Sequence, residues 1–358
     1  MSPSTSHRID VDGASIHYRT WDAQEDCDNA NKPGLLLVHG GAAHSHWWDF
    51  IAPFFTQEFH VAAFDLSGCG DSSWRPFYSF ELHAREALAV LRDTGMLDKP
   101  LAPIVVGHSF GGYVTLMLGR LFGQLLRGIV VVDSPVRSRA MMERDLQKGL
   151  GPPQHNGRKR VYPTREAVTG RFALLPPQSC ANCFIMQYIA HFSVKEISDH
   201  EAAALRRSGE VGSAASAGGW TWKFDDQRME KSRKHAITSG KTDSTPESQF
   251  DAMATFFSSL LRGIKCRMGF IYGVDSFLCQ EEVVRHMRQE MSIHRPGGFA
   301  QTPIIAVPEA AHHVMLDQPL AFVALLRALL EAAQWGRCDD EGPVPAVHHT
   351  PVSPSARL

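Results

Sequence analysis

The chain has 358 residues, which is enough to bury a full core in one large domain carrying an insertion, or in two domains. Hydrophobic residues make up 44% and charged residues 21%, and 36 Lys and Arg against 38 Asp and Glu leave a formal net charge of -2. The length excludes a single small module, and the ordinary globular balance of charge gives no reason to expect a nucleic-acid partner or an anionic membrane surface.

Cysteine use and hydropathy predict a compartment. Seven scattered cysteines, an odd number in a long chain, do not resemble a disulfide framework and favour a reducing compartment. The first ten residues lack the pattern of a secretory signal, and no apolar run approaches the ~18 residues of a membrane helix. We therefore expect a cytoplasmic protein with no membrane span, whose oligomeric state the sequence leaves open.

The chain opens with two β-prone runs, His7 to Val11 and Ser15 to Thr20, on either side of Asp12-Gly13. That dipeptide favours a type I′ turn, so we expect an antiparallel hairpin. Residues 34–39 then form a continuous apolar run bounded by glycine, as expected of a strand buried on both faces.

Similar apolar runs recur along the chain, with helical periodicity between them over Ser79 to Gly95 and Gly112 to Phe122. Alternating strands and helices predict an α/β fold with a mostly parallel sheet covered by helices on both faces. The predicted strands after the first are residues 60–65, 103–107, 128–133, 267–272 and 303–307.

The alternation stops in the middle of the chain and again at its end. Residues 136–249 combine Arg-, Gly- and Pro-containing loops with amphipathic stretches, which favours an inserted helical cap between core segments 1–135 and 250–335. Residues 336–358 contain four prolines and few large apolar residues, so we expect a disordered tail.

The strongest motif is Gly107-His108-Ser109-Phe110-Gly111-Gly112, which lies between a predicted strand and a predicted helix. A sharp strand-to-helix turn needs small residues beside the serine, and glycine supplies that space. The turn places Ser109 at a helix N-terminus, where backbone N–H groups such as that of Phe110 stabilise an oxyanion. Ser109 is therefore the candidate nucleophile.

At this point the chain resembles the α/β-hydrolase fold family, from about Ile16 to Ala332. The tripeptide His39-Gly40-Gly41 is similar to the family's oxyanion loop, and the resemblance implies that the backbone N–H of Gly41 joins that of Phe110. The segment that begins at Asp65 is similar to a structural loop of the family. The resemblance further implies an eight-stranded, mostly parallel sheet with an inserted cap.

The segment around Ala311-His312-His313, after the last predicted strand, resembles the catalytic-histidine segment of the family and ends in Asp317-Gln318-Pro319. His312 occupies the position of the general base. Ala311 stands where most relatives have glycine, and the adjacent His313 stays an alternative to His312.

Two aspartates at strand ends satisfy the chain order of serine, acid and histidine, namely Asp133 and Asp275. The usual position of the acid in the resembling family falls on Ser276. Some relatives with serine there take the acid from the end of the preceding strand, which is Asp133 here. We therefore favour Asp133 and keep Asp275 as the alternative acid.

These residues predict a serine hydrolase that cleaves a carboxylic ester, or a related acyl bond, of a small and largely apolar substrate. No cofactor is expected, and the lone Cys180-x-x-Cys183 lacks the second ligand pair of a metal site. The alternative function is a ligand-binding or receptor-like protein with little turnover. The C-terminal Ala356-Arg357-Leu358 resembles a peroxisomal address, which would matter only in a eukaryote.

Overall fold

A computed structural model describes residues 4–21, 31–147, 160–207, 218–239, 245–293 and 302–331. In chain order the strands are β1 Thr5–Val11, β2 Ala14–Trp21, β3 Gly34–Val38, β4 His60–Phe64, β5 Ile104–His108, β6 Gly128–Val132, β7 Val194–Ile197, β8 Gly219–Trp222, β9 Arg267–Gly273 and β10 Ile304–Val307. The helices are α1 Phe80–Asp93, α2 Phe110–Phe122, α3 Arg139–Gln147, α4 Arg165–Thr169, α5 Cys183–Phe192, α6 Asp199–Arg207, α7 Arg228–Thr238, α8 Pro246–Arg262, α9 Glu281–Ile293, α10 Val314–Asp317 and α11 Pro319–Glu331.

Eight strands form one sheet in the order β1-β2-β4-β3-β5-β6-β9-β10. The six strands from β4 to β10 in that order run parallel, whereas β1 and β2 add an antiparallel hairpin at one edge. Asp12 and Gly13 both have positive φ, at 50° and 75°, as a type I′ turn requires. The predicted hairpin and mostly parallel sheet are confirmed.

Both faces of the sheet are covered by helices, as the sequence predicted. Along β3, Leu36 and Val38 join the hydrophobic cluster that contains residues of α1, α2, α8 and α9. Leu35 and Leu37 join the cluster on the other face with residues of α10 and α11. The period of two in a strand sends alternate apolar side chains into these two cores, so the run is apolar throughout.

The strand order reverses direction between β3 and β5, because the chain places β4 outside β3 and then continues with β5 on its other side. In open parallel sheets, the crevice at such a reversal lies beyond the carboxyl ends of the strands and is the usual ligand site. The oxyanion-loop candidate follows β3, and the candidate serine follows β5. Topology alone therefore brings these two loops together.

The inserted stretch, predicted as helical, holds helices together with a two-stranded antiparallel sheet of β7 and β8. Side chains hold it against the core: Tyr188 donates to Asp49 Oδ2 at 2.5 Å, and the Tyr78 hydroxyl donates to Asp225 Oδ2 at 2.7 Å. Gln178 reaches the turn that carries His312. The insertion thus borders the candidate site.

Some features predicted from the sequence lie outside the described residues, namely the tail 336–358 with its C-terminal tripeptide, and Cys27. No disulfide bond joins the five cysteines of the described ranges. Among the described helices, none has the length and apolar character needed to cross a bilayer.

Candidate active site

The turn between β5 and α2 places Ser109 in a backbone conformation that is rare for residues with a side chain, at φ 53° and ψ −120°. Its N–H donates to the Val132 carbonyl at 2.9 Å, and its carbonyl accepts from Ser134 Oγ at 2.7 Å. Strain of this kind persists only where surrounding contacts enforce it, and it is frequent at functional sites. The turn presents the serine hydroxyl at the N-terminus of α2.

Glycines make this turn possible. A Cβ at position 107 would lie 2.2 Å from Thr115 Oγ1, and a Cβ at position 111 would lie 2.4 Å from the His39 carbonyl oxygen. Neither gap admits a methyl group, so Gly107 and Gly111 allow the helix, the strand and the loop after β3 to approach one another. The sequence prediction about spacing agrees with this packing.

Ser109, His312 and Asp133 form one hydrogen-bonded chain. Ser109 Oγ lies 2.9 Å from His312 Nε2, and His312 Nδ1 lies 2.7 Å from Asp133 Oδ1. His312 is 1% exposed and Asp133 is fully buried. A serine hydroxyl, an imidazole and a carboxylate in this order allow the imidazole to take the hydroxyl proton while the carboxylate stabilises the imidazolium.

The structure distinguishes the two candidate acids. Asp133, with φ 47°, turns its carboxylate into the site, where it also accepts hydrogen bonds from Gly273 N at 3.0 Å and Ser276 Oγ at 2.7 Å. Asp275 is exposed, and its backbone N–H donates to the Ala310 carbonyl. The partner of His312 is therefore Asp133, while Ser276 supports that carboxylate.

The two candidate oxyanion donors lie side by side. A Cβ built on Gly41 would be 3.7 Å from Phe110 Cβ, and one on Gly40 would be 3.2 Å from Ser109 Cβ. Within the described ranges, no acceptor engages the backbone N–H of Gly41 or Phe110. Two unpaired N–H groups beside a nucleophile can hold the negative oxygen of a tetrahedral intermediate.

Buried histidines position these groups. His39 Nδ1 donates to the Gly40 carbonyl at 2.7 Å while Nε2 accepts from Leu66 N at 3.0 Å. Burial lowers the pKa of His39 to about 4, which keeps it in this neutral form at pH 7. His108 Nε2 donates to the His312 carbonyl at 3.0 Å. Sequence reasoning assigned no role to His108.

The turn that carries His312 is held by its own carboxylate and by the insertion. Asp317 Oδ2 accepts from Ala311 N at 2.8 Å and from Gln178 Nε2 at 2.9 Å. Gln178 Oε1 in turn accepts from His313 N at 3.1 Å. Sequence reasoning missed Gln178, because no local pattern in a Pro-rich loop indicates its distant partner.

Among the residues that the structure describes, two groups of side chains could hold a metal ion. His108, His312 and His313 have ring nitrogens within 4.8 Å of one another, and so do ligand atoms of His17, Asp65 and Asp71. Both His312 nitrogens already contact Asp133 and Ser109, so metal ligation there would compete with the hydrogen-bonded chain. The second group is engaged in internal bonds, with His17 Nδ1 and Asp71 N on the same Asp65 oxygen.

Comparisons with known proteins agree with this architecture. A family model described as the alpha/beta hydrolase family matches residues 35–325. The esterase Rv0045c of Mycobacterium tuberculosis is 25% identical over 304 residues, which cover 84% of this chain and 83% of the esterase.

Two solved structures are similar in fold. The thioesterase domain from the curacin biosynthetic pathway has a TM-score of 0.60 at 17% identity, over 91% of this chain and 99% of that domain. The E-2-(acetamidomethylene)succinate hydrolase has a TM-score of 0.61 at 15% identity, over 92% of this chain and 100% of the hydrolase. At such identities the similarity concerns the fold alone.

Proposed function

Because this chain belongs to the alpha/beta hydrolase family, we propose that it is a serine esterase with Ser109 as nucleophile, His312 as base and Asp133 as acid. The observation that carries the proposal is the pair of contacts at 2.9 Å and 2.7 Å that links the three side chains. Ester cleavage is supported by the similarity to a curated esterase over most of both chains.

The proposed reaction has two halves. In the first, Ser109 Oγ attacks the ester carbonyl carbon while His312 Nε2 takes the hydroxyl proton. The backbone N–H groups of Gly41 and Phe110 hold the negative oxygen of the tetrahedral intermediate. When the intermediate collapses, the proton passes from His312 to the departing alcohol, and the acyl group stays on the serine.

In the second half, His312 takes a proton from water, and the resulting hydroxide attacks the acyl carbonyl. The same two N–H groups hold the second oxyanion, and the proton returns to Ser109 as the carboxylic acid leaves. Asp133 keeps His312 in the tautomer with hydrogen on Nδ1 throughout, because its Oδ1 accepts from that nitrogen. Neither half uses a cofactor.

The proposed substrate is small and largely apolar. Trp47 lies 5.4 Å from His313 and 6.5 Å from Phe172 between ring centres, and Phe172 lies 6.3 Å from Trp222. These aromatic rings extend from the adjacent His312 and His313 into the insertion. An apolar acyl or alcohol group near the triad would be surrounded by such side chains.

The first test is labelling with a fluorophosphonate, which reacts with an activated serine without knowledge of the substrate. We expect stoichiometric modification of the peptide that contains Ser109, mapped by mass spectrometry, and none in Ser109→Ala. Steady hydrolysis of short-chain p-nitrophenyl esters should accompany labelling. A folded protein that resists the probe would favour the alternative function, a ligand-binding protein on a hydrolase scaffold.

A further inference from the structure

An arginine from the insertion reaches the oxyanion loop. Arg228 is the first residue of α7, and its Nη1 donates to Cys69 Sγ at 3.1 Å. The guanidinium carbon lies 4.4 Å from the centre of the Phe110 ring, in the geometry of a cation–π contact. The side chain is half-buried. Two core contacts therefore fix the orientation of this guanidinium.

Its position is beside the proposed oxyanion donors. A Cβ built on Gly41 would lie 3.5 Å from Arg228 Nη2 and 3.7 Å from Phe110 Cβ. The guanidinium therefore adjoins both residues whose N–H groups face the reacting carbonyl. A substrate bound there would have its neighbouring atoms within reach of Arg228.

The positive charge of Arg228 has no carboxylate partner in the described ranges, although acids lie nearby. Asp225 is paired with Lys231 at 2.6 Å, and Asp71 is paired with Lys223 at 2.7 Å. Burial raises the pKa of the Cys69 thiol, so the thiol is uncharged at pH 7 and does not neutralise the guanidinium. Both of these acids already hold a cation, so neither is left to neutralise Arg228.

We propose that Arg228 binds a carboxylate on the substrate, and that the preferred substrate is a monoester of a short dicarboxylic acid. This inference rests on the proposed esterase function and deepens it. A guanidinium presents paired N–H donors that match the two oxygens of a carboxylate. The free carboxylate lies a few carbon atoms from the scissile carbonyl, and the rest of the substrate is apolar.

The test compares monoethyl succinate with ethyl butyrate, which share alcohol and acyl length and differ in one carboxylate. Hydrolysis is followed by titration of the released acid in wild type, Arg228→Gln and Arg228→Lys. The control is Arg233→Gln, because Arg233 lies on the same helix, is exposed and pairs with Glu230. Circular dichroism checks that each variant is folded.

We expect the wild type to favour monoethyl succinate in kcat/KM. Arg228→Gln should lower kcat/KM for this ester by about tenfold to a hundredfold, the range for losing a hydrogen bond to a charged group, mainly through KM. The kcat/KM for ethyl butyrate should change by less than about threefold, because this ester has no carboxylate for Arg228 to bind. Arg228→Lys should keep part of the preference, and Arg233→Gln all of it.

An equal loss of kcat for both esters would overturn the proposal, because Arg228 would then act on the oxyanion. No change for either ester would also overturn it. Binding of monoethyl succinate to Ser109→Ala and to Ser109→Ala/Arg228→Gln, measured by calorimetry, tests it without turnover. Equal affinities, or no binding to either, reject the carboxylate site. Failure of fluorophosphonate labelling instead rejects the esterase function.

Discussion

At the scale of single residues, the carboxylate of Asp133 accepts several of the hydrogen bonds of the site. Its two oxygens accept from His312 Nδ1, Ser276 Oγ and Gly273 N, and the group is fully buried. Three donors satisfy the acceptor capacity that a buried carboxylate would otherwise leave unpaired. Gly273 and Ser276 therefore hold the proposed acid in place, in addition to its contact with His312.

Replacing the acid tests its assignment. We expect Asp133→Asn to lower kcat by about a thousandfold to ten-thousandfold, because an amide cannot stabilise the imidazolium and favours the wrong tautomer. The exposed Asp275→Asn should keep kcat within about threefold, as surface changes do. Steady-state kinetics on a p-nitrophenyl ester compares them. A larger loss in Asp275→Asn would contradict the assignment.

Substitutions of the adjacent His312 and His313 should differ equally clearly in their effect on turnover. His312 carries both contacts of the hydrogen-bonded chain, whereas within the described ranges no hydrogen bond joins the His313 ring to Ser109 or Asp133. We expect His312→Leu to abolish turnover and His313→Leu to keep kcat/KM within about tenfold, because His313 packs near the site without joining the chain. Ester kinetics decides this, and a severe loss in His313→Leu would give that residue a catalytic role.

Sequence reasoning narrowed the proposed acid to two positions and favoured Asp133 through the family resemblance, but it could not choose by geometry. Both aspartates follow a strand that ends at the same edge of the sheet, and order along the chain admits either. The choice depends on side-chain direction, which the positive φ of Asp133 sets and no local pattern reveals. Arg228 was missed for a related reason, since its partners Cys69 and Phe110 are distant in sequence.

At the scale of elements, the turn between β5 and α2 joins three pieces of backbone that nearly touch. The Gly111 position faces the carbonyl oxygens of His39 and Val38, at 2.4 Å and 2.6 Å from a hypothetical Cβ. A substitution here would push the helix away from the loop that carries Gly41. The position therefore links stability to the geometry of the proposed oxyanion donors.

We expect Gly111→Ala to destabilise the fold by about 1–3 kcal/mol or more, the usual cost of overpacking, and to lower kcat. Gly119→Ala in the same helix is the matched control, because its closest contact is the flexible end of Ile129 at 3.0 Å. Urea unfolding and ester kinetics provide the two measurements. Equal effects of the two substitutions would show that the close backbone approach is not limiting.

The core elements were predictable because their pattern is local, with apolar runs for buried strands and helical periodicity between them. The strands of the insertion were not predicted. β7 has the sequence Val-Lys-Glu-Ile and only four residues, and its partner β8 lies beyond α6 in the chain. Short strands paired over such distances depend on tertiary contacts more than on propensity.

At the scale of the whole molecule, buried neutral histidines make stability depend on pH. Burial lowers the pKa of His39 to about 4 and of His313 to about 3, and also lowers the pKa of His44 and His108. In the unfolded chain each histidine titrates near ~6.5. Below that pH the unfolded state binds more protons than the folded state. The stability that these histidines contribute is therefore fully present above pH ~6.5 and is lost as the pH drops toward their pKa values in the folded protein.

Between pH 7 and pH 5, we expect the free energy of unfolding to fall by about 2–4 kcal/mol from His39 and His313 alone, given about 1.4 kcal/mol for each pH unit per group. Urea unfolding at several pH values measures this slope. His313→Leu should flatten it, and His200→Asn, at an exposed position, should leave it unchanged. If the free energy of unfolding depended on pH to the same extent in His313→Leu as in the wild type, the assigned role of buried His313 would be wrong.

The contact between Ser276 Oγ and Asp133 Oδ1 at 2.7 Å has an evolutionary consequence. The two residues lie in the loops that follow the neighbouring parallel strands β6 and β9, so a carboxylate at either place would approach the same imidazole nitrogen. An ancestor could exchange the proposed acid between the two loops through two amino-acid substitutions. The double variant Asp133→Ser/Ser276→Asp tests this exchange. Esterase activity above that of Asp133→Ser alone would show that a carboxylate at position 276 can replace the one at position 133.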